Sequence, residues 1–360
     1  MMPRLNNLPI DTAFLFLLMT VSQTLSAANS CVILQYHHVS ESTPAITSVT
    51  PKQFADHLNY LKENDFAVLP LADVITQIKN DIELPDKCVS LTVDDAYDSI
   101  YTTAYPLIKK YDWPMTVFVN SQAVDKGRKP YMSWSQMRAM QADGFTFETH
   151  GHSHSHLIRL FPDESHDDWE QRVSSEILIT QNRIIEELDY IPQFFAHSYG
   201  EYNPDINAIL KGFNLVGFGQ QSGPVWPDAN FSALPRFPMA SHYAALPGFI
   251  TKVNSLPMPV TQSLPDDPLL PINMSQPELI LQLAPGKWRQ SSIQCFVNGS
   301  KNVAMQWLDE YTLTVKPNFD LPAGRSRTNC TMSSNQKGRF HWYSHNWIKR
   351  KNDGSWYLEY

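Results

Sequence analysis

Two adjacent acids are the first residues of this chain whose type and spacing could do chemistry. Asp94 and Asp95 directly follow the apolar run 89–93, which is typical of a β-strand. Because neighbouring carboxylates repel each other, such a pair at a strand end indicates that one acid binds a cation while the other stays free as a base. The alternative is a solvated loop in which one of the acids caps the following helix.

Four histidines follow at every second position from His150 to His156, again after a strand-like run. Neutral imidazoles are ligands for zinc and related ions, and two of them with one carboxylate leave a coordination position open. A surface tract of histidines can also bind metal adventitiously. The density of this tract at a predicted strand end favours a metal site, but spacing alone leaves open which two histidines would bind.

One further histidine, His37, ends the first predicted strand of the chain. It would lie at the same sheet edge as the acids and could act as a general acid. A histidine that simply packs at a strand end is the alternative.

Strand-like and helical segments alternate from Cys31 to about Ala245, and this alternation predicts a parallel sheet covered by helices, open or closed into a barrel. In such folds the active residues gather at the carboxyl ends of the strands. The predicted strands are 32–36, 89–93, 115–120, 145–149, 193–196 and 215–218. The predicted helices are 51–63, 99–111, 133–143, 169–188 and 203–211, the third of them opened by a capping box of Ser133 and Gln136.

The last third of the chain has a different pattern. A proline-rich stretch predicts a linker over residues 251–275. Short alternating runs between turn residues then predict a small, all-β, sandwich-like domain over residues 276–360.

The N-terminus predicts export. Arg4 precedes the apolar run 13–19, and small residues follow, so that residues 1–28 have the pattern of a signal peptide. A buried N-terminal helix is the alternative. No later stretch is long enough to span a membrane. We therefore expect a protein that is secreted, or located in the periplasm or cell envelope, once the signal peptide is removed.

Cysteine count and net charge agree with this location. Four cysteines, an even number, suit an oxidising compartment. Cys31 and Cys88 each begin a strand-like run and would meet on adjacent parallel strands, while Cys295 and Cys330 would pair locally. The net charge of −8, without a cluster of basic residues, argues against a nucleic-acid partner.

These segments resemble the motifs of the NodB-homology polysaccharide deacetylases, a family of carbohydrate esterases. The first motif, Thr-Phe-Asp-Asp, is matched by residues 92–95 with Val93 in place of Phe. The second, His-Ser/Thr-x-x-His, is matched by His152 to His156. The resemblance spans about residues 31–240 and implies a distorted (β/α) barrel over residues 29–250. It also implies that Asp94 is the general base and that Asp95, His152 and His156 bind the metal.

The third motif resembles that of a subgroup, the biofilm poly-N-acetylglucosamine deacetylases, whose motifs are permuted. Ala196 stands where the wider family has an arginine that orients the catalytic aspartate. The resemblance implies that His37 supplies the acid and that Tyr199 contributes a backbone N–H to the oxyanion. Arg236 could replace the missing arginine. Tyr199 and Trp134 could stack on sugar rings, with buried packing as the default alternative for Trp134.

The resemblance therefore implies hydrolysis of N-acetyl groups on a polysaccharide such as poly-N-acetylglucosamine or a chitin- or peptidoglycan-like glycan. The expected cofactor is a divalent metal, Zn²⁺ by preference, which would polarise the acetamide carbonyl and lower the pKa of a water molecule. Two alternatives remain at this point. The same site could cleave O-acetyl esters, as on xylan, or the chain could be a glycan-binding protein without activity.

Overall fold

The structure is a computed structural model that describes residues 27–286 and 288–358. The predicted signal peptide lies outside the described residues except for its last two positions. Within the described part of the chain, no helix combines the length and the apolar character needed to cross a membrane.

The N-terminal domain is built on a curled, entirely parallel sheet. Its strands and the short strands around it are β1 (Ala27–Ala28), β2 (Val32–Tyr36), β3 (His38–Val39), β4 (Ser48–Val49), β5 (Ala67–Val68), β6 (Leu84–Pro85), β7 (Cys88–Val93), β8 (Thr116–Val119), β9 (Thr146–Thr149), β10 (Phe194–Ala196), β11 (Val216–Phe218) and β12 (Phe237–Pro238). The main sheet runs in the order β11-β10-β9-β8-β7-β2-β12, and β5 pairs with the start of β7. The central strands β2 and β7 are buried along their whole length, as their continuous apolar sequences require.

Helices cover this sheet and connect its strands. They are α1 (Pro51–Glu63), α2 (Leu71–Lys79), α3 (Tyr105–Ile108), α4 (Ser121–Asp125), α5 (Trp134–Gln141), α6 (His166–Leu188), α7 (Pro204–Gly212) and α8 (Leu246–Val253). The predicted capping box opens α5, where Ser133 and Gln136 cap each other's backbone. The predicted helix 99–111 is instead three short pieces, because a wide π-type turn at Ile100–Ala104 precedes α3.

The two ends of the sheet are joined by the segment 231–238. Gly217 of β11 donates to Phe231 O and Leu234 N donates back to Gly217 O, while three residues later β12 pairs with β2. One extended segment therefore contacts both edge strands and closes the curl. The predicted distorted (β/α) barrel of NodB-homology type is confirmed as a curled parallel half-barrel of this kind.

The C-terminal part is a sandwich of two four-stranded sheets. Its strands are β13 (Leu256–Pro257), β14 (Val260–Leu264), β15 (Leu279–Leu283), β16 (Ile293–Val297), β17 (Val303–Trp307), β18 (Thr312–Pro317), β19 (Gly324–Ser333) and β20 (Phe340–Lys349). The sheet orders are β13-β20-β19-β16 and β14-β15-β18-β17. Alternate residues of β15 are buried against a core that both sheets share.

The prediction of an unstructured linker over residues 251–275 is wrong. Helix α8 continues to Val253, and β13 and β14 follow it as members of the two sheets of the sandwich. The sandwich also shares cores with the half-barrel, because Trp342 packs against the barrel core and Ile348 packs with Phe195. The two parts are therefore in direct contact along a common interface.

Both expected disulfides are present. Cys31 and Cys88 join the starts of β2 and β7, and Cys295 and Cys330 lie directly opposite each other on β16 and β19. The described residues contain no free cysteine. Each bond therefore ties together two strands that the sheet already pairs.

We predict that the double substitution Cys295→Ala/Cys330→Ala destabilises the sandwich. The bond closes a loop with a sequence separation of 35 residues, for which chain entropy predicts a loss of about 4 kcal/mol in the free energy of unfolding. Urea unfolding followed by tryptophan fluorescence under oxidising conditions measures this loss. An unchanged midpoint for the sandwich transition would contradict the prediction, and Cys31→Ala/Cys88→Ala is the matched control in the other domain.

Candidate active site

The ends of three strands of the main sheet bring the candidate residues together. Because β2, β7 and β9 run parallel, the residues after their carboxyl ends meet at one edge of the sheet. Asp95 and Ala96 adopt left-handed backbone conformations, with φ of 72° and 55°. Such conformations are unfavourable for residues other than glycine and commonly occur at functional sites. They turn the chain sharply as it leaves β7.

Asp95, His150 and His154 form a cluster of three potential metal ligands. Asp95 Oδ1 lies 3.4 Å from His150 Nε2 and 3.2 Å from His154 Nε2. One ligand atom from each residue lies within 4.8 Å of the others. Two imidazoles and one carboxylate on one side of a point are a donor set that suits Zn²⁺ and similar ions and leaves positions open.

The protonation of these histidines fits a cation. His150 Nδ1 lies 2.8 Å from Ala196 O, and because a carbonyl only accepts, Nδ1 carries the proton. The lone pair of Nε2 is then free, and this buried atom has no hydrogen-bond partner among the described residues. Burial lowers the pKa of His154 to about 4 against the opposing effect of Asp95, so that this ring is neutral at neutral pH.

The expected ligands His152 and His156 do not belong to this cluster. His152 Nδ1 lies 2.9 Å from Ser121 Oγ, and its backbone N–H donates to Glu176 of α6. His156 Nδ1 lies 2.8 Å from Glu201 Oε2. The geometry therefore replaces the predicted pair by His150 and His154, two positions earlier in the chain.

The reason for the difference is that both pairs have the same spacing of four residues. His150 follows the last residue of β9 directly, as Asp94 follows β7. Gly151 and His154 then adopt left-handed conformations, with φ of 77° and 58°, and the chain turns so that His154 folds back on His150. Counting from the strand end, rather than matching a motif, would have selected the pair that the structure brings together.

Asp94 lies beside this cluster in a buried ion pair with Arg236. Arg236 Nη1 and Nη2 donate to the two carboxylate oxygens of Asp94 at 2.7 and 2.9 Å, and Gln35 Nε2 donates to Oδ2 at 2.5 Å. Both charged side chains are fully buried. Burial alone would raise the pKa of Asp94, but the paired Arg236 guanidinium holds it well below its usual range.

Arg236 reaches Asp94 from the segment that closes the sheet. It directly precedes β12, and its Nε donates to Gly219 O at 3.0 Å while Nη1 donates to Thr92 Oγ1 at 3.3 Å. Ala196, which stands where the wider family has arginine, ends β10. The structure thus places the guanidinium of Arg236 on the aspartate, as expected for a residue that substitutes for the missing arginine.

His37 lies between β2 and β3 and is half-buried at the same edge. His37 acts electrostatically on both Asp94 and His154, which places it near the cluster. The next residue, His38, is buried and stacks on Tyr97 with ring centroids 3.6 Å apart. Of the two histidines, His37 is therefore the one placed to exchange protons with solvent.

Of the two residues expected to bind sugar, one lies beside the cluster and the other is buried away from it. Tyr199 lies at the cluster, with its ring stacked on His156 at 3.8 Å and 4.6 Å from the ring of His154. Trp134 begins α5, is buried, and donates its indole N–H to Asp125. The expectation that Trp134 stacks on sugar is therefore wrong, and its role is to pack in the core.

Sequence reasoning also missed residues that hold the site. Gln35 binds Asp94, and Asn120 Nδ2 lies 3.5 Å from Asp95 Oδ1. From the sandwich, Arg325 of β19 donates to Tyr199 O at 2.6 Å and lies over its ring. Gln35 lies one residue before the end of a predicted strand and Asn120 ends another, which is a usable signal, whereas nothing in the sequence near Arg325 indicated its target.

Comparison with known proteins matches this chain to polysaccharide deacetylases. Residues 81–217 match the family model described as Polysaccharide deacetylase. The chain is 27% identical over 227 residues to the poly-β-1,6-N-acetyl-D-glucosamine N-deacetylase of Staphylococcus epidermidis, an alignment that covers 58% of this chain and 78% of that protein.

Two solved structures have a similar fold. The Streptococcus pyogenes deacetylase PplD, in complex with acetate, has a TM-score of 0.56 at 23% identity over 62% of this chain and 98% of its own. IcaB from Ammonifex degensii has a TM-score of 0.54 at 24% identity over 61% and 95%. The matched segment, residues 81–217, therefore belongs to a polysaccharide deacetylase domain of the NodB-homology type.

Proposed function

We propose that the protein hydrolyses the N-acetyl groups of a β-linked N-acetylglucosamine polysaccharide in a metal-dependent reaction. The observation that carries the proposal is an ionised aspartate held beside a cluster of one carboxylate and two histidines, whose Nε2 atoms lie 3.4 and 3.2 Å from Asp95 Oδ1. The name of the Staphylococcus epidermidis relative supports poly-β-1,6-N-acetylglucosamine as the substrate.

Asp95, His150 and His154 would hold the metal, for which Zn²⁺ is our proposal. A bound Zn²⁺ would supply Lewis-acid polarisation of the acetamide carbonyl and acidify a water molecule. The donor set fits this ion, since His150 Nε2 is a buried atom whose free lone pair faces Asp95 Oδ1. The bond from His150 Nδ1 to Ala196 O fixes the orientation of the ring.

Asp94 would act as the general base. Because its pKa lies far below the usual range, it is ionised throughout the neutral pH range, but it is a weak base. It can therefore accept a proton only from an acidified water. Arg236 and Gln35 occupy three hydrogen-bond positions on its two oxygens and fix the direction of the remaining lone pair.

His37 would donate a proton to the leaving amine. An amide nitrogen needs this proton because an amine anion is a very poor leaving group. Being half-buried, His37 can be reprotonated from solvent after each turnover. The backbone N–H of Tyr199, at the edge of the cluster, would help to stabilise the oxyanion.

We further propose that the protein acts outside the cytoplasm. Two disulfides among the described residues suit an oxidising compartment. A polysaccharide substrate is also met at or beyond the cell envelope.

We predict that Asp94→Asn lowers acetate release by about 10²–10⁴-fold, because an amide cannot accept the proton. The measurement is acetate release from β-1,6-linked N-acetylglucosamine oligomers with added Zn²⁺ or with chelator. Asp125→Asn, the same change at a carboxylate that binds Trp134 and Arg183, is the matched control and should keep the parent rate.

The same assay decides between substrates. Asp94-dependent release from the oligomers with none from acetylated xylan supports amide hydrolysis. Release from acetylated xylan alone would contradict our proposal, and no release from either substrate by the metal-loaded parent would remove the hydrolase assignment.

We predict that the four histidines separate into two classes in metal binding. His150→Ala and His154→Ala should abolish binding of one Zn²⁺ per chain, because each removes a ligand of a three-residue site. His152→Ala and His156→Ala are the matched controls and should retain the ion, since their rings contact Ser121 and Glu201 instead. Metal content after dialysis measures the difference, and loss of zinc in His152→Ala with retention in His154→Ala would overturn the assignment.

We predict that Arg236→Met lowers the free energy of unfolding by about 3–5 kcal/mol at neutral pH, since it leaves the Asp94 carboxylate buried and unpaired. In the parent, the lowered pKa of Asp94 means that the pair stabilises the fold above the ordinary aspartate pKa of about 3.9 and that this contribution falls on acidification. In the variant, protonation of Asp94 removes the unpaired negative charge. The difference in the free energy of unfolding between variant and parent therefore shrinks as the pH falls.

Urea unfolding at neutral and acidic pH measures this difference. Arg138→Met, which breaks a half-exposed ion pair with Glu187, is the control and should cost about 1 kcal/mol or less. An Arg236→Met protein as stable as the parent at neutral pH would contradict the importance of the buried pair.

A further inference from the structure

A cavity of about 220 Å³ lies between the half-barrel and the sandwich. Its half-barrel wall includes Tyr202, Gln221 and Trp226, and its sandwich wall includes Trp342 and His345 of β20. The volume is roughly seven times the ~30 Å³ share of one molecule in liquid water. It therefore suits one monosaccharide ring rather than an extended chain.

Two buried polar atoms of the cavity wall lack a hydrogen-bond partner among the described residues. They are Trp226 Nε1, which can only donate, and His345 Nε2. His345 is 4% exposed, and burial lowers its pKa to about 4, so the ring is neutral and offers either a donor or an acceptor. Both atoms have almost no accessible surface, so a ligand hydroxyl reaches them only after a small movement of the cavity wall, and it would then satisfy either a donor or an acceptor.

Aromatic side chains and charge narrow the class of ligand. Trp226, Trp342 and Tyr343 are among the residues that line the cavity, and aromatic rings can pack against the apolar faces of pyranoses. Asp228 and Asp266 line the cavity and are exposed, so they mark its mouth. Their negative charge disfavours an acidic sugar and accepts a neutral or an amino sugar.

We propose that this interdomain cavity is a carbohydrate-binding site that takes a single neutral or amino-substituted pyranose residue. It goes beyond the proposed deacetylation, because none of its wall residues belongs to the metal cluster. A single layer of backbone separates the two sites: Gln221 lines the cavity, and its carbonyl accepts from Arg236 N. The cavity would hold one residue of the polymer while another lies at the catalytic edge.

The test uses the whole protein, residues 29–360, and follows the indole N–H signals by ¹H–¹⁵N NMR. Trp226→Phe identifies the Trp226 signal by its loss. Methyl glycosides of N-acetylglucosamine and glucosamine are titrated separately, beside methyl glucuronide and the open-chain polyol sorbitol. We expect a saturable shift of the Trp226 signal with the first two sugars, in the millimolar range usual for a ligand of this size.

His345→Phe should weaken binding of either glycoside about tenfold, as loss of a hydrogen bond to a buried group predicts. Trp307→Phe, a matched change on β17 at a residue outside the cavity wall, should leave the Trp226 shift unchanged. The Asp94→Asn protein should show the same shift as the parent, because the catalytic edge is a separate site.

Absence of a saturable Trp226 shift, or an equal shift with sorbitol, would overturn the proposed cavity site. A shift that disappears in Asp94→Asn would assign the binding to the catalytic edge and overturn it as well. Acetate release is measured on the same samples, so that failure of this site and failure of the proposed deacetylation are distinguished. Acetate release without the Trp226 shift would refute only the proposed cavity site. The Trp226 shift without acetate release would refute only the proposed deacetylation.

Discussion

The buried ion pair between Arg236 and Asp94 is the interaction on which the candidate site depends. Transfer of two charges out of water is expensive, and the cost is offset only when the pair is well aligned and its other donors and acceptors are satisfied. Here Gln35, Thr92 and Gly219 complete the hydrogen bonds. Because Arg236 lies in the segment that joins β11 to β2, the contacts that close the half-barrel also position the guanidinium that orients Asp94.

The parts of the site that depend on strand ends could be predicted from the sequence. Asp94, Asp95 and His37 each follow an apolar strand, and parallel strands necessarily bring such residues to one edge. The histidine pair could not be fixed this way, since spacings of four occur twice in the tract. The choice is made by left-handed turns at Gly151 and His154, which depend on contacts that the local sequence does not contain.

The sequence predicted the β-sandwich of the C-terminal part but placed its first strand too late in the chain. Prolines at 257, 259 and 265 indicated a linker, yet β13 and β14 are strands whose partners lie far along the chain. Pairing of β13 with β20 spans about eighty residues, a long-range choice that a window of sequence does not reveal. Proline is compatible with such positions at sheet edges, where no partner needs its N–H. The start of the sandwich is therefore defined by which residues pack in its core, and the proline content of the segment does not reveal it.

The contact between Arg325 and Tyr199 connects the sandwich to the chemistry. Tyr199 has φ of 59°, a left-handed conformation that costs a residue with a side chain about 1–2 kcal/mol. Arg325 binds its carbonyl, and His156 packs flat on its ring. Both contacts stabilise the left-handed conformation of Tyr199 beside the cluster of Asp95, His150 and His154. Since Arg325 belongs to β19, the sandwich helps to hold the candidate site in place. The interdomain cavity is also connected to this site, because Gln221 of its wall binds the backbone of Arg236.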